Sequence, residues 1–235
     1  MYIDCWYCDV SELNTPALFE KGLSALPWQA RRERILSIRF EQDKLLHLGA
    51  GLLAAHALRK AGASDLTLDY HENQKPFLAA HPGIHFNLSH SGTIAVCAVS
   101  DAPVGVDVEK ERAVNWSLAR RFFHPAELAW LERSADPDRD FTRLWTRKES
   151  YIKMTGKGLA QPLPSFCAVP LDLDLAPVQP GSNASAVRPS LQDAPAPAHY
   201  YECTVFGHTI SVCTGTDPSN MASVRFRGVP VTALL

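Results

Sequence analysis

The chain of 235 residues predicts an α+β protein, and three features of the sequence predict it. Residues 84–110 fall into three consecutive strand-like runs, the first and third alternating apolar and polar and the middle one near-continuously apolar, as in an antiparallel meander. Two long helical runs close on glycines, at Gly62 and near Gly156, and each is followed by strand-like sequence. A further hairpin turns at Gly207 within HYYECTVFGHTISVCT.

In order along the chain, residues 2–10 read as an opening strand. SALPWQARRERILSIRF is helical from Pro27, with Arg31, Arg32, Arg34 and Arg39 supplying local positive charge. EQDKLLHLGAGLLAAHALRKAG is a second, more apolar helix that Gly62 closes. LTLDY is a short strand and HENQKPF a polar turn containing Pro76. IHFNLSHSG places Ile84, Phe86 and Leu88 on one face and His85, Asn87 and Ser89 on the other. TIAVCAVS reads as a buried strand, and DAP turns the chain into PVGVDVEKER. WSLARRFFHPAELAWLE is helical but interrupted at Pro125, and SADPDRD is an acidic turn. FTRLWTRKESYIKMTGKGL is a strong amphipathic helix, and SFCAVPLDL a strand. Residues 176–197, rich in Pro, Ala and Ser, read as a long mobile loop.

Composition narrows the function. With 46% hydrophobic and 20% charged residues, the chain buries a core as one large domain or two modest ones. A formal net charge of -2 gives no global attraction to nucleic acid or to an anionic membrane. Any anionic ligand must therefore meet a local basic cluster. The opening MYIDCWYCDV lacks a basic, then apolar, leader, and no apolar run reaches membrane-spanning length. Six cysteines without a secretory signal read as reduced thiols in a cytoplasm. Cys5 and Cys8, three apart on a strand, face opposite sides and read as buried thiols.

The chemistry centres on PVGVDVEKER. Val104, Val106 and Val108 point one way, while Gly105, Asp107 and Glu109 point the other. Two carboxylates about 7 Å apart on a buried strand repel each other. On the later helix Trp145, Glu149 and Lys153 share a flank at i, i+4 and i+8, with Lys148 beside them. Glu149 brought over Asp107 and Glu109 makes an oxygen-rich site suited to Mg²⁺, which offsets the repulsion. Lys148, Lys153, Lys75, His90 and Arg34 supply a cationic rim, and a carboxylate-bound metal within such a rim suits a diphosphate.

FNLSHSG, VGVDVE and LWTRKESYIKMTGKGL stand in the order and spacing of the 4'-phosphopantetheinyl transferases. The chain resembles the larger, pseudo-dimeric members that activate peptide and polyketide synthases. The family pattern is a G-x-D-x-E strand, an F-F-x-x-x-E segment and a W-x-x-K-E-x-x-x-K helix. Here these are Gly105 to Glu109, Phe122 to Glu127, and Trp145 to Lys153. The resemblance implies two pseudo-symmetric α+β halves, residues 1–103 and 104–235. Each has a small antiparallel sheet against a long helix, with coenzyme A at their interface. It implies Mg-dependent transfer of the phosphopantetheine arm to a serine of an apo acyl or peptidyl carrier protein, of the holo-acyl-carrier-protein synthase type, releasing adenosine 3',5'-bisphosphate. By the same resemblance Asp107, Glu109 and Glu149 hold the metal, and Asp107, Glu149 and Lys153 are catalytic. Arg34, Lys75, Ser89, His90, Lys148 and Lys153 hold the coenzyme.

Two departures stand out. Gln74 replaces the usual glycine before Lys75-Pro76, and Leu46 replaces a usual arginine in EQDKLLHLGAG. Glu127 is read either as orienting a helix or water near the metal or as a surface carboxylate. Arg120 and Arg121 are candidates for carrier recognition or a solvated face. The expected protein is a cytoplasmic monomer that binds neither nucleic acid nor membrane. A metal-dependent nuclease and a non-catalytic carrier-binding scaffold are the alternatives. The first lacks a basic track, and the intact acidic set argues against the second.

Overall fold

The alternation in the first ten residues folds as β1 (Tyr2–Asp9), which lies inside a sheet and not at its edge. The structure, a computed structural model, describes residues 1–169 and 197–235. β1 pairs antiparallel with β5 (Ile94–Ser100), and β5 pairs with β4 (His85–Ser91). On the other side of β1 lies β9 (Ser223–Gly228), which runs parallel to it. A second sheet has the order β6 (Val104–Lys110), β8 (His208–Thr214), β7 (His199–Val205), all antiparallel. A small ribbon joins β2 (Leu68–Tyr70) to β3 (Pro76–Leu78).

Apolar periodicity decides how these elements stack. Helix α3 (Glu41–Lys60) lays Leu45, Leu48 and Leu52 on one face of the first sheet, against Cys8, Cys97 and Val99. The opposite face of that sheet, through Ile3, Cys5, Ile94 and Val96, meets Val104, Val106, Val108 and Val212 of the second sheet. Helix α6 (Pro137–Thr155) covers the far side of the second sheet, with Tyr151 and Ile152 near Tyr200 and Cys213. The layers therefore run α3, first sheet, second sheet, α6. Each fully buried aliphatic side chain contributes about 1.5–3 kcal/mol to this stacking. Cys5 and Cys8 are buried on opposite faces of β1. Among the described residues no helix is long and apolar enough to cross a membrane.

Several expectations require correction. Residues 84–110 are not one meander: β4 and β5 form a hairpin, but β6 opens the second sheet. The valine face of β6 and the apolar face of β5 bury each other by stacking, which lateral pairing does not achieve. The strand expected over SFCAVPLDL is absent from residues 165–169, and its remainder lies outside the described residues. There the amide of Ala168 donates to Glu127 and its carbonyl accepts from Arg147, so side chains satisfy groups a ladder would use. The loop expected at 176–197 lies, but for its last residue, outside the described residues. Helix α1 (Pro16–Ala25), capped by Thr15, and strand β9 were not anticipated. Because β9 joins the first sheet, the division at 103/104 is crossed by the chain's last strand.

Helix α2 (Gln29–Ser37) follows Pro27, and the break at Pro125 separates α4 (Trp116–Phe122) from α5 (Pro125–Leu131). Helix α6 starts earlier than its sequence suggested, because Asp136 caps it by accepting from the amide of Arg139. It ends where Gly156 takes φ 69°, the left-handed conformation that glycine tolerates.

Candidate active site at the seam between the sheets

β4 and β6 are the edge strands of their sheets, and they face each other. Side chains close this seam in place of a backbone ladder. Asn87 Oδ1 accepts from the amide of Val106 at 2.9 Å. Ser89 Oγ donates to Asp107 Oδ1 at 2.7 Å, and Ser91 Oγ donates to Glu109 Oε2 at 3.0 Å. The polar face of β4, alternating Asn87, Ser89 and Ser91, thus holds the acidic face of β6.

Helix α6 closes the site from above. A Cβ on Gly105 would stand 2.0 Å from the carbonyl oxygen of Ser150 and 2.4 Å from the amide nitrogen of Met154. Only glycine allows α6 this close to β6, and this approach brings Glu149 and Lys153 over Asp107. Lys153 Nζ donates to Asp107 Oδ1 at 2.6 Å and to Ser89 Oγ at 3.0 Å. Burial, then the charge of Asp107, raises the carboxyl of Glu149 above the usual range. The same two causes, in the same order, raise Glu109. The three carboxylates therefore feel one another, as the sequence expected.

Asp107 is only 4% exposed, and its Oδ2 is buried with no hydrogen-bond partner among the described residues. An all-oxygen donor set with one orphaned buried carboxylate oxygen fits a hard divalent cation. As they stand, no three His, Cys, Asp or Glu side chains among the described residues form a ready cage. The ammonium of Lys153 is the cation that meets Asp107 directly.

The basic groups divide into two. On the α3 side, the rings of His90 and His47 meet edge to face with centroids 4.9 Å apart. Burial, then His47, Lys153 and Arg31, pulls His90 down to about 4, so it is neutral at pH 7. Arg31 holds this corner by donating Nε and Nη2 to the carbonyl of His47 at 3.3 and 2.9 Å. Arg34 is exposed on the last turn of α2, where its charge acts on His47. Leu46, at the departure noted above, is buried in the core under α3.

At the other end of β6, Lys75 Nζ donates to the carbonyls of Lys153 at 2.6 Å, Val104 at 3.2 Å and Met154 at 3.4 Å. Lys75 thus caps the C-terminal carbonyls of α6. Burial lowers its ammonium to about 8. Gln74 keeps φ 64°, so the turn retains the conformation a glycine would favour. Beside Lys75 opens a cavity of about 930 Å³, lined by His71, Asn73, Ile84, Phe86 and Met154 among others.

Two expectations about α6 and its neighbours change. Lys148 is not on the site: its side chain is 0% exposed and donates to both carboxylate oxygens of Glu127, at 2.8 and 2.7 Å, and to the carbonyl of Phe166 at 2.7 Å. Successive helical residues point 100° apart, so Lys148 turns inward where Glu149 turns to the seam. Glu127 is not a surface carboxylate: it is fully buried and orients a helix. It also accepts from the amides of His124 and Ala168 at 2.7 and 2.6 Å, closing a capping box on α5. Arg120 and Arg121 are exposed on α4, and Phe123 is core. Arg31, His47 and Ser91 were missed. Ser91 was readable, since it shares the face of Ser89. Arg31 was one of several arginines that only the packing of α2 on α3 tells apart.

The comparisons with known proteins bear on this geometry. A sequence model of the 4'-phosphopantetheinyl transferase superfamily matches residues 103–212, the stretch holding β6, α6 and most of β8. Over that stretch the chain is similar to the 4'-phosphopantetheinyl transferase superfamily. It is 39% identical over 142 residues to a 4'-phosphopantetheinyl transferase of Bacillus subtilis, covering 58% of this chain and 63% of that one. It is 42% identical over 105 residues to 4'-phosphopantetheinyl transferase Sfp of Bacillus subtilis (strain 168), covering 44% and 47%. To 4'-phosphopantetheinyl transferase gsp of Aneurinibacillus migulanus it is 38% identical over 123 residues, 51% of each. The chain thus spans about half to somewhat under two thirds of the length of these relatives.

Proposed function

We propose that the protein transfers the 4'-phosphopantetheine arm of coenzyme A to a serine hydroxyl of an apo carrier protein, as a holo-acyl-carrier-protein synthase does, and releases adenosine 3',5'-bisphosphate. The observation that carries this reading is the meeting of Asp107, Glu109, Glu149 and Lys153 across one seam. A cavity of about 930 Å³ opens beside Lys75 at the Val104 end of the same strand, with Met154, the residue after Lys153, in its lining. The names of the relatives support the same reaction.

Asp107, Glu109 and Glu149 would hold Mg²⁺, which supplies neutralising charge for a diphosphate when bound. The chain's own groups do the rest. The nucleotide occupies the cavity beside Lys75. Lys153, already at the centre of the site, donates to the oxygens of the leaving phosphate. His90, neutral, offers a ring N–H, and Arg31, Arg34 and His47 face the remaining phosphate charge. The serine oxygen forms a bond to the phosphorus that bears pantetheine, while the bond from that phosphorus to the bridging oxygen breaks. The electron pair leaves with the bisphosphate, and Glu149 takes the serine proton. Seryl oxygen is the nucleophile, so no covalent enzyme intermediate is required.

The chain is expected to act as a cytoplasmic monomer. Incubation with coenzyme A, Mg²⁺ and a panel of apo carrier domains, followed by mass spectrometry, tests the reaction. The expected result is a gain of one phosphopantetheine. No gain across carriers of fatty acid, polyketide and peptide type would overturn it.

A further inference from the structure

We propose that the apo carrier domain docks on a rim formed by the Phe206–Gly207 turn, Lys110 and the Phe40 end of α3, with Phe206 as its apolar anchor. The inference rests on the transferase reading above.

The direction of approach comes from the layout of the site. Strand β6 runs from Val104, beside Lys75 and the cavity, to Glu109 and Lys110 at its opposite end, roughly 20 Å away at about 3.3 Å per residue. With the nucleotide in the cavity, the leaving oxygen faces the Val104 end. In-line displacement puts the attacking oxygen on the far side of the phosphorus. The serine therefore enters at the Glu109 end.

That end is a continuous surface built by three segments. The amide of Glu111 donates to the carbonyl of Gly207 at 2.9 Å, which holds the β7–β8 turn against the end of β6. Ser91, bonded to Glu109, accepts from the amide of Lys110 at 3.2 Å. The ring of His208 lies against Gly92, where a Cβ would stand 2.4 Å from its Nε2, while its Nδ1 is 2.8 Å from the carbonyl of Phe206. Gly92 in turn accepts from Gln42 Nε2 at 3.0 Å, which brings in the first turn of α3 beside Phe40. The rim thus adjoins Glu109 directly.

The side chains on this rim work against an isolated fold. Phe206 is 74% exposed and takes φ 48°, a left-handed conformation that a bulky residue rarely adopts. Glycine would relieve both the strain and the exposed ring, so the phenyl group at the tip points to a contact. Phe40 is 63% exposed, with the Arg39 guanidinium 5.6 Å from its ring centroid. Lys110 and Arg112 are exposed nearby in sequence. Exposed aromatics among cations suit a partner whose serine is flanked by apolar and acidic side chains. Tyr70, also exposed, follows the opposite end, next to cavity-lining His71.

The test measures the KM for apo carrier, the KM for coenzyme A and carrier binding by titration, with Tyr70→Ser as the control. Phe206→Gly is expected to raise the carrier KM and the carrier Kd about tenfold. The coenzyme KM should stay unchanged, and the Tm unchanged or higher because the turn is relieved. Phe40→Ser shifts the carrier KM in the same direction by a smaller factor. An unchanged carrier KM in Phe206→Gly overturns the proposal, as does an equal rise in the coenzyme KM. So does a Tyr70→Ser protein that loses the carrier as strongly. Light scattering covers the other occupant: if Phe206→Gly only dissolves a self-association, the rim joins two copies of this chain and the proposal fails. Wild-type protein that loads carriers normally isolates these outcomes from the transferase reading. Wild-type protein that neither loads nor binds any carrier overturns both.

Discussion

Helix α6 sends two lysines to two carboxylates at nearly the same distance, and the pairs behave as opposites. Lys148 and Glu127 meet at 2.7 Å, both fully buried, and neighbouring backbone groups satisfy what remains of each. Lys153 and Asp107 meet at 2.6 Å, but the lysine is 28% exposed and Asp107 Oδ2 has no partner among the described residues. A buried pair with every oxygen and proton engaged gains nothing by exchanging partners. A pair at a seam, beside two further carboxyls raised by burial and then by the charge of Asp107, gains from any cation that gathers them. The first pair holds α6, α5 and residues 166–168 together. The second is where chemistry can take place.

The sharpest way to break this contrast is Asp107→Asn. Transfer is expected to fall on the order of a thousandfold, with Tm unchanged or slightly raised because one of three repelling carboxylates is removed. A Tm loss as large as that of a Lys148 variant would make both pairs structural. Lys148→Met should cost about 3–5 kcal/mol of stability in urea denaturation, because Glu127 is left charged and buried. Adding Glu127→Gln should recover part of that loss, since the amide keeps an acceptor oxygen without the charge. An additive double variant would mean that the two side chains do not act as a pair.

A smaller effect is expected from metal. At Mg²⁺ a hundredfold above its Kd, the wild-type protein should gain about 2.7 kcal/mol in thermal melts. Asp107→Asn should gain little, and an equal shift in both would move the metal away from the seam. The smallest effect concerns a third pair on the same helix. Burial alone would raise the carboxyl of Glu202, but Arg147 and Arg143 together hold it down to about 2. A carboxyl lowered by folding adds stability above its unfolded pKa, and that stability is lost as pH falls toward 2. Stability measured from pH 5 to 2 should therefore fall more steeply in wild type than in Glu202→Gln. Parallel curves would remove Glu202 from the account.

Much of the site was legible in the primary structure because alternation on a strand and the four-residue repeat on a helix are local rules. They put Asp107 beside Glu109 and Glu149 in line with Lys153, as found. They also put Ser89 and Ser91 on one face, although only Ser89 was singled out. Lys148 was misplaced because adjacency in sequence was taken for adjacency in space, whereas one step along a helix turns a side chain by 100°. Lys75 was expected to face coenzyme phosphate, yet its ammonium is engaged by three carbonyls at the end of α6 and the start of β6. No local pattern announces that, since those carbonyls lie some thirty to eighty residues away in the chain.

The sequence by itself determined the elements and their faces: which strands are apolar on one side, where glycine and proline end the helices, and which side chains carry charge. Those properties follow from backbone geometry over a few residues. Only the tertiary structure decided that β6 leaves the meander for a second sheet and that α6 lies against Gly105. It also decided which of two lysines meets Asp107. These outcomes depend on burying faces distant in the chain against one another, a free energy that no short window of residues contains.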